Sequence, residues 1–195
     1  ATVVSMTATT TAPATSNPAT SSSADLSPER ADLLETLAAH RAFLRQTAEG
    51  LTDEQARLTP TVSALSVGGL IKHVADVESS WAGFMQGDFS AWPEVDWSNP
   101  DPALFESYSN GFVLLPDETL AGVLADYERI AAITDGLVAS LDLDTAYPLP
   151  KAPWFPPDGT RSVRRVITHI VAETAQHAGH ADIIRETIDG HKTMG

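Results

Sequence analysis

Two imidazoles and a carboxylate at helical spacing are the side chains in this sequence best placed to do chemistry. Glu173 and His177 lie four positions apart, one turn up the same face of a helix, where their side chains can meet at one point. The stripe that carries them runs Val163, Val166, Ile170, Glu173, His177, His180, Ile184, at alternating spacings of three and four. Its ends are aliphatic, as a bundle seam should be, and its middle is ionisable. A carboxylate on a buried seam costs several kcal/mol unless it is paired or binds a metal. That position, more than the spacing, marks the pair as metal ligands.

A third ligand has to come from another helix. His73 follows Leu70 by three residues and precedes Val77 by four, so it borders the apolar face of an earlier helix. Two imidazoles and one carboxylate leave coordination positions open, the pattern of a catalytic rather than a structural site. Zinc suits this set best, and nickel, iron or manganese would also accept it. His180, one turn beyond His177, is read as a catalytic residue: a proton shuttle, a fourth ligand or a partner of a ligand. Glu78, about 140° round the helix from His73, reads as a polar edge of the bundle. His40, His169 and His191 are set aside, His169 because it lies off the seam. Asp182, Arg185, Glu186 and Asp189 read as a solvated face.

Four long amphipathic helices must position these groups. The first begins at Ser27-Pro28, an N-cap with proline at the first helical position, and buries Leu33, Leu37, Leu44 and Ala48. Thr52 and Gln55 form a capping box for a short turn. The second long helix starts at Ser66, the third spans about Asp117 to Leu141, and the fourth runs from near Ser162 to Gly190. No strand is expected. The connections at 87–116 and 142–161 are long and rich in aromatic residues and proline, which fits either packing over one end of the bundle or the walls of a substrate pocket.

Composition narrows the partners. The 195 residues hold 12 Lys plus Arg against 26 Asp plus Glu, a net charge of −14. Such a surface repels nucleic acid and anionic lipid, and no apolar run approaches the roughly 18 residues of a membrane span. There is no cysteine, so any thiol chemistry must use a thiol brought in from outside. Residues 1–24 carry no charge, and 18 of them are Ala, Ser or Thr; a disordered tail is expected there, preceding one domain at 25–195. Met6 reads as the native start, with residues 1–5 an addition. The tail lacks the marks of a secretory signal or a transit peptide, which points to the cytoplasm.

The segments LSVGGLIKHVADVESSW at 65–81 and HIVAETAQHAGHADIIRETIDG at 169–190 resemble the DinB/YfiT-like superfamily of metal-dependent enzymes. The resemblance spans roughly 28–190 and is strongest to the actinobacterial branch near mycothiol-dependent transferases and maleylpyruvate isomerases. Many members have His where this chain has Glu173 and Gln where it has His180; a branch with Glu and His also exists. The resemblance implies an all-α, DinB-like four-helix bundle with an unusual helix order, a homodimer, and one divalent metal ion on His73, Glu173 and His177. It also implies a low-molecular-weight thiol such as mycothiol as co-substrate, transferred to an electrophile. A cation lowers the pKa of a bound thiol, so an activated sulfur is the expected nucleophile. The alternatives are a non-catalytic, stress-associated metal-binding protein and a metal-dependent hydrolase or isomerase of a specialised pathway.

Overall fold

The computed structural model describes residues 26–193, so the expected tail at 1–24 lies outside them. In chain order the elements are α1 (Pro28–Gln46), α2 (Asp53–Ala56), α3 (Val67–Met85), α4 (Pro102–Asn110), α5 (Leu120–Ser140), β1 (Ala146–Pro148), β2 (Thr160–Ser162) and α6 (Val163–Asp189). Side-chain caps fix where the four long helices begin. Ser27, Ser66, Thr119 and Ser162 accept from the backbone N–H groups of Arg30, Gly69, Gly122 and Arg165. Each cap satisfies one of the donors that a helix start leaves unpaired. Gly190, at φ 79°, closes α6 in the left-handed conformation that glycine adopts without steric cost.

Two apolar clusters show which way each helix runs. One joins Leu44 and Ala48 of α1, Val67 and Leu70 of α3, Val123 and Tyr127 of α5, and Ala181 and Ile184 of α6. The other joins Leu37 of α1, Phe84 and Met85 of α3, Val138 of α5, and Val163 and Val166 of α6. So α1 and α6 run one way, and α3 and α5 run the other. Around the bundle the order is α1, α6, α3, α5, since α1 packs on α6 and α5, and α3 on α5 and α6. Because α3 and α5 are parallel neighbours, the chain between them must travel back along the bundle, roughly 28 Å for a 19-residue helix. That return explains the length of the 87–116 connection.

The structure corrects several expectations. The connection at 87–116 contains α4, capped by Asp101 with Pro102 at its first position. No residue of α4 is buried, so it has no apolar period to reveal it. The third long helix starts at Leu120 rather than Asp117, because Glu118 turns to meet Lys72 and the N–H of Leu115. A short antiparallel pair, β1 with β2, lies where no strand was expected. At three residues each, its strands are too short for an alternating pattern to show.

Two charged residues also change place. Glu78 is fully buried and pairs with Arg41, itself 2% exposed. Arg41 donates through Nε to Glu78 at 3.2 Å and through Nη1 to Asp135 at 2.7 Å. Arg185 is buried as well, donating to the carbonyl oxygens of Thr47 and Glu49 at 2.8 and 2.7 Å. It thereby satisfies acceptors just past the C-terminal end of α1.

Candidate metal centre

Antiparallel packing of α3 on α6 brings His73 opposite Glu173 and His177. One ligand atom from each of the three lies within 4.8 Å of the others. Nε2 of His177 is 3.5 Å from Oε2 of Glu173. Ligand atoms held at about 2.1 Å round a tetrahedral cation sit about 3.4 Å apart, so this donor set fits a divalent ion with only small side-chain rotations. Two nitrogens and one oxygen suit zinc and its neighbours better than magnesium or calcium, which prefer oxygen throughout.

The surroundings orient two of the three side chains. His177 turns Nε2 towards Glu173 and Nδ1 towards Nδ1 of His180, 3.4 Å away. His180 thus sits behind His177, outside the three converging groups. The second oxygen of Glu173, Oε1, lies 3.6 Å from Nε2 of His169. Sequence reasoning set His169 aside, yet its spacing of four from Glu173 is the same signal that marked His177. His40 and His191 take no part in the cluster.

A further contributor comes from the long connection. Phe112 stacks on His73 with ring centroids 3.8 Å apart and planes 19° from parallel. Gly69, one turn before His73, makes this possible. A Cβ there would lie 1.9 Å from the carbonyl oxygen of Phe112, so any side chain would push this segment away. No periodicity in the sequence points to Phe112, which lies in irregular chain just after α4.

Electrostatics keep the imidazoles ready to ligate. Burial, aided by His177, pushes His73 down to about 4. Burial and then His180 hold His177 below the ordinary imidazole value. Both rings are therefore neutral at pH 7 and present lone pairs. The same shift makes a prediction for metal-free protein. In the unfolded chain His73 takes up its proton near pH 6.5, whereas in the folded chain it resists until about pH 4. Stability is therefore fully present above pH 6.5 and falls as the pH drops towards 4. Denaturation midpoints measured across that range should fall in the native protein and fall less in His73→Ala.

Comparison with known proteins shows the family and the fold. A family model described as Mycothiol-S-transferase matches residues 32–190. Among solved structures, the chain resembles a conserved protein from Enterococcus faecalis, with 18% identity and a TM-score of 0.56. That alignment covers 83% of this chain and 97% of the other, a likeness of fold. No curated protein sequence matches. A match that runs from the first turns of α1 to the glycine cap of α6, and takes in His73, Glu173 and His177, places the chain in the mycothiol-S-transferase family.

Proposed function

We propose that the chain transfers a low-molecular-weight thiol, mycothiol in keeping with the family, to an electrophilic carbon. One divalent cation, zinc foremost, is held by His73, Glu173 and His177. The observation that carries this reading is the convergence of three neutral or acidic ligands from two helices in a chain with no cysteine of its own. When bound, the cation supplies the positive charge that keeps a thiol ionised at neutral pH. The sulfur lone pair forms the new carbon–sulfur bond, the leaving group departs with the broken bond's electrons, and the thiol proton passes to solvent.

The chain's residues set the stage for that transfer. Phe112 covers one face of His73 and keeps water from it. His169 stands 3.6 Å from the far oxygen of Glu173, where a small rotation would let it donate to that oxygen and leave the near one for the cation. Nδ1 of His180 lies 3.4 Å from Nδ1 of His177; with the proton on the His177 nitrogen, His180 would accept it and leave Nε2 of His177 free to ligate. In this arrangement His180 is a positioning residue.

The test is a panel of thiols, mycothiol included, offered to metal-loaded protein with a haloarene. Adduct should form at rates that hold well below the free thiol pKa of about 8.5. His180→Ala should slow transfer and weaken metal binding by about 10- to 100-fold, and His180→Gln, which restores the acceptor, should recover most of both. A product derived from water without thiol, with no adduct above that of His177→Ala, would replace this reading with a hydrolase.

A further inference from the structure

Two side chains of the cluster have a polar group behind them, and the third does not. His180 stands 3.4 Å from Nδ1 of His177, and His169 stands 3.6 Å from the far oxygen of Glu173. Among the described residues no hydrogen bond reaches the His73 ring. Its close neighbours are two other rings, Phe112 face-on at 3.8 Å and His177 edge-on at 5.0 Å. A metal-bound histidine is ordinarily oriented by a hydrogen bond to its other nitrogen. Without one, the torsion that turns the imidazole has broad, shallow wells. A flat ring 3.8 Å away closes most of that range by steric contact.

The segment that carries Phe112 is fastened to the bundle. From Phe112 to Glu118 it crosses α3 at the turn before His73, and Gly68 and Gly69 admit it there. A Cβ on Gly68 would lie 2.9 Å from Cδ2 of Leu114, and one on Gly69 would lie 1.9 Å from the carbonyl oxygen of Phe112. Glycine weakens a helix, so two in succession near the start of α3 carry a cost that this close approach explains. Lys72 donates to the carbonyl oxygen of Val113 at 3.3 Å and pairs with Glu118 at 2.7 Å. Glu118 also accepts from the N–H of Leu115 at 2.8 Å.

A second clamp comes from the end of α2. Arg57 donates to the carbonyl oxygens of Leu114 and Leu115 at 3.2 and 3.1 Å, and also to that of Glu118. Leu114 itself is buried in the core. Helix geometry then sets the register. Gly69 lies one turn before His73 on the same face of α3, so backbone docked on Gly69 delivers Phe112 to the imidazole. On its outer side Phe112 meets only an exposed ring, Tyr108, edge-on at 5.3 Å. What holds Phe112 in place is therefore the backbone strap.

We propose that Phe112 is a positioning residue for the metal centre. It holds the plane of His73 so that a ring nitrogen faces Glu173 and His177, and the strap at 112–118 sets how tightly a divalent cation is bound. Arg57 touches none of the three ligands, and it reaches the centre only through the strap's carbonyl oxygens and Phe112. The inference rests on reading His73, Glu173 and His177 as ligands of one cation, and its test needs no turnover.

The test is the affinity of the full chain for zinc, measured by competition with a chelator, together with the visible spectrum of the cobalt(II)-loaded protein, which reports coordination geometry. Phe112→Ala should weaken zinc binding by about 10-fold or more, as loss of an orienting partner does, and should shift the cobalt bands. Phe112→Tyr, which keeps the ring, should restore both. Gly69→Ala keeps Phe112 but displaces the strap, and should weaken zinc binding comparably; Arg57→Gln should act in the same direction by a smaller factor. Arg30→Gln controls for general destabilisation, because Arg30 donates to the carbonyl oxygens of Val138 and Leu141 beside the other apolar cluster. It should lower the melting temperature and leave zinc affinity and the cobalt spectrum as they are.

Native affinity or unshifted cobalt bands in Phe112→Ala would overturn the proposal. So would an affinity loss in Arg30→Gln equal to that in Phe112→Ala, since overall stability would then set the affinity. Unchanged affinity in both Gly69→Ala and Arg57→Gln would overturn the role of the strap. Should Phe112→Ala fail to fold, Phe112→Leu, which keeps apolar bulk without a flat face, carries the same expectation. A native chain that binds neither metal would remove the ligand set and this inference together. Native binding with no effect of Phe112 would leave the ligand set standing and strike the positioning role alone.

Discussion

The His177→Ala protein is expected to lose nearly all bound metal and all measurable thiol transfer, while remaining folded. His177 offers Nε2 to the ligand cluster 3.5 Å from Glu173, and without it only two donors on two helices remain. Changing a partner behind a ligand lowers affinity by about 10- to 100-fold, and deleting the ligand itself should exceed that. The fold should survive, because the seam of α6 is held by Val166, Ile170, Ala181 and Ile184, all buried. The charged group left behind, Glu173, has a side chain 28% exposed, so water can solvate its carboxylate once the imidazole and the metal are gone. Elemental analysis and circular dichroism on one sample separate the two outcomes. An unfolded protein would mean that His177 is structural, and full metal retention would remove it from the ligand set.

Glu78→Ala is expected to destabilise the protein by about 3–5 kcal/mol, the largest stability effect of any single change considered. The side chains of Glu78 and Arg41 are 0% and 3% exposed. Removing the carboxylate strands a buried guanidinium whose remaining acidic partner, Asp135, is half in solvent. Chemical denaturation should show the loss as a lowered midpoint. Replacing both residues, as in Arg41→Met with Glu78→Leu, should restore most of the stability, since a buried pair barely outweighs well-packed apolar groups. A single change that costs less than about 1 kcal/mol would show that water reaches Arg41.

That ion pair also shows where the sequence was legible and where it was misread. Arg41 sits four after Leu37 and three before Leu44, and Glu78 sits four after Val74 and three before Trp81. Both interrupt a buried stripe in the same way that Glu173 and His177 do. The pattern was visible, but the pairing was not, because it depends on α1 and α3 meeting across the bundle. The helices themselves were readable because Ser27, Ser66, Ser162 and Gly190 act through local hydrogen bonds and backbone conformation. The antiparallel pairing of α3 with α6 was not, and it is what makes three separate residues into one cluster. Phe112 lies in irregular chain, where no period constrains a side chain and only the folded neighbours decide what it touches.

The central claim is that two helices share one metal ion. Its most direct test is the metal content per chain of zinc-loaded, dialysed protein, measured for the native sequence and for His73→Ala. The account predicts one equivalent in the native protein and close to none in His73→Ala, with the helical signal unchanged. Full occupancy in His73→Ala would take α3 out of the site and reduce Glu173 and His177 to an ordinary contact within α6.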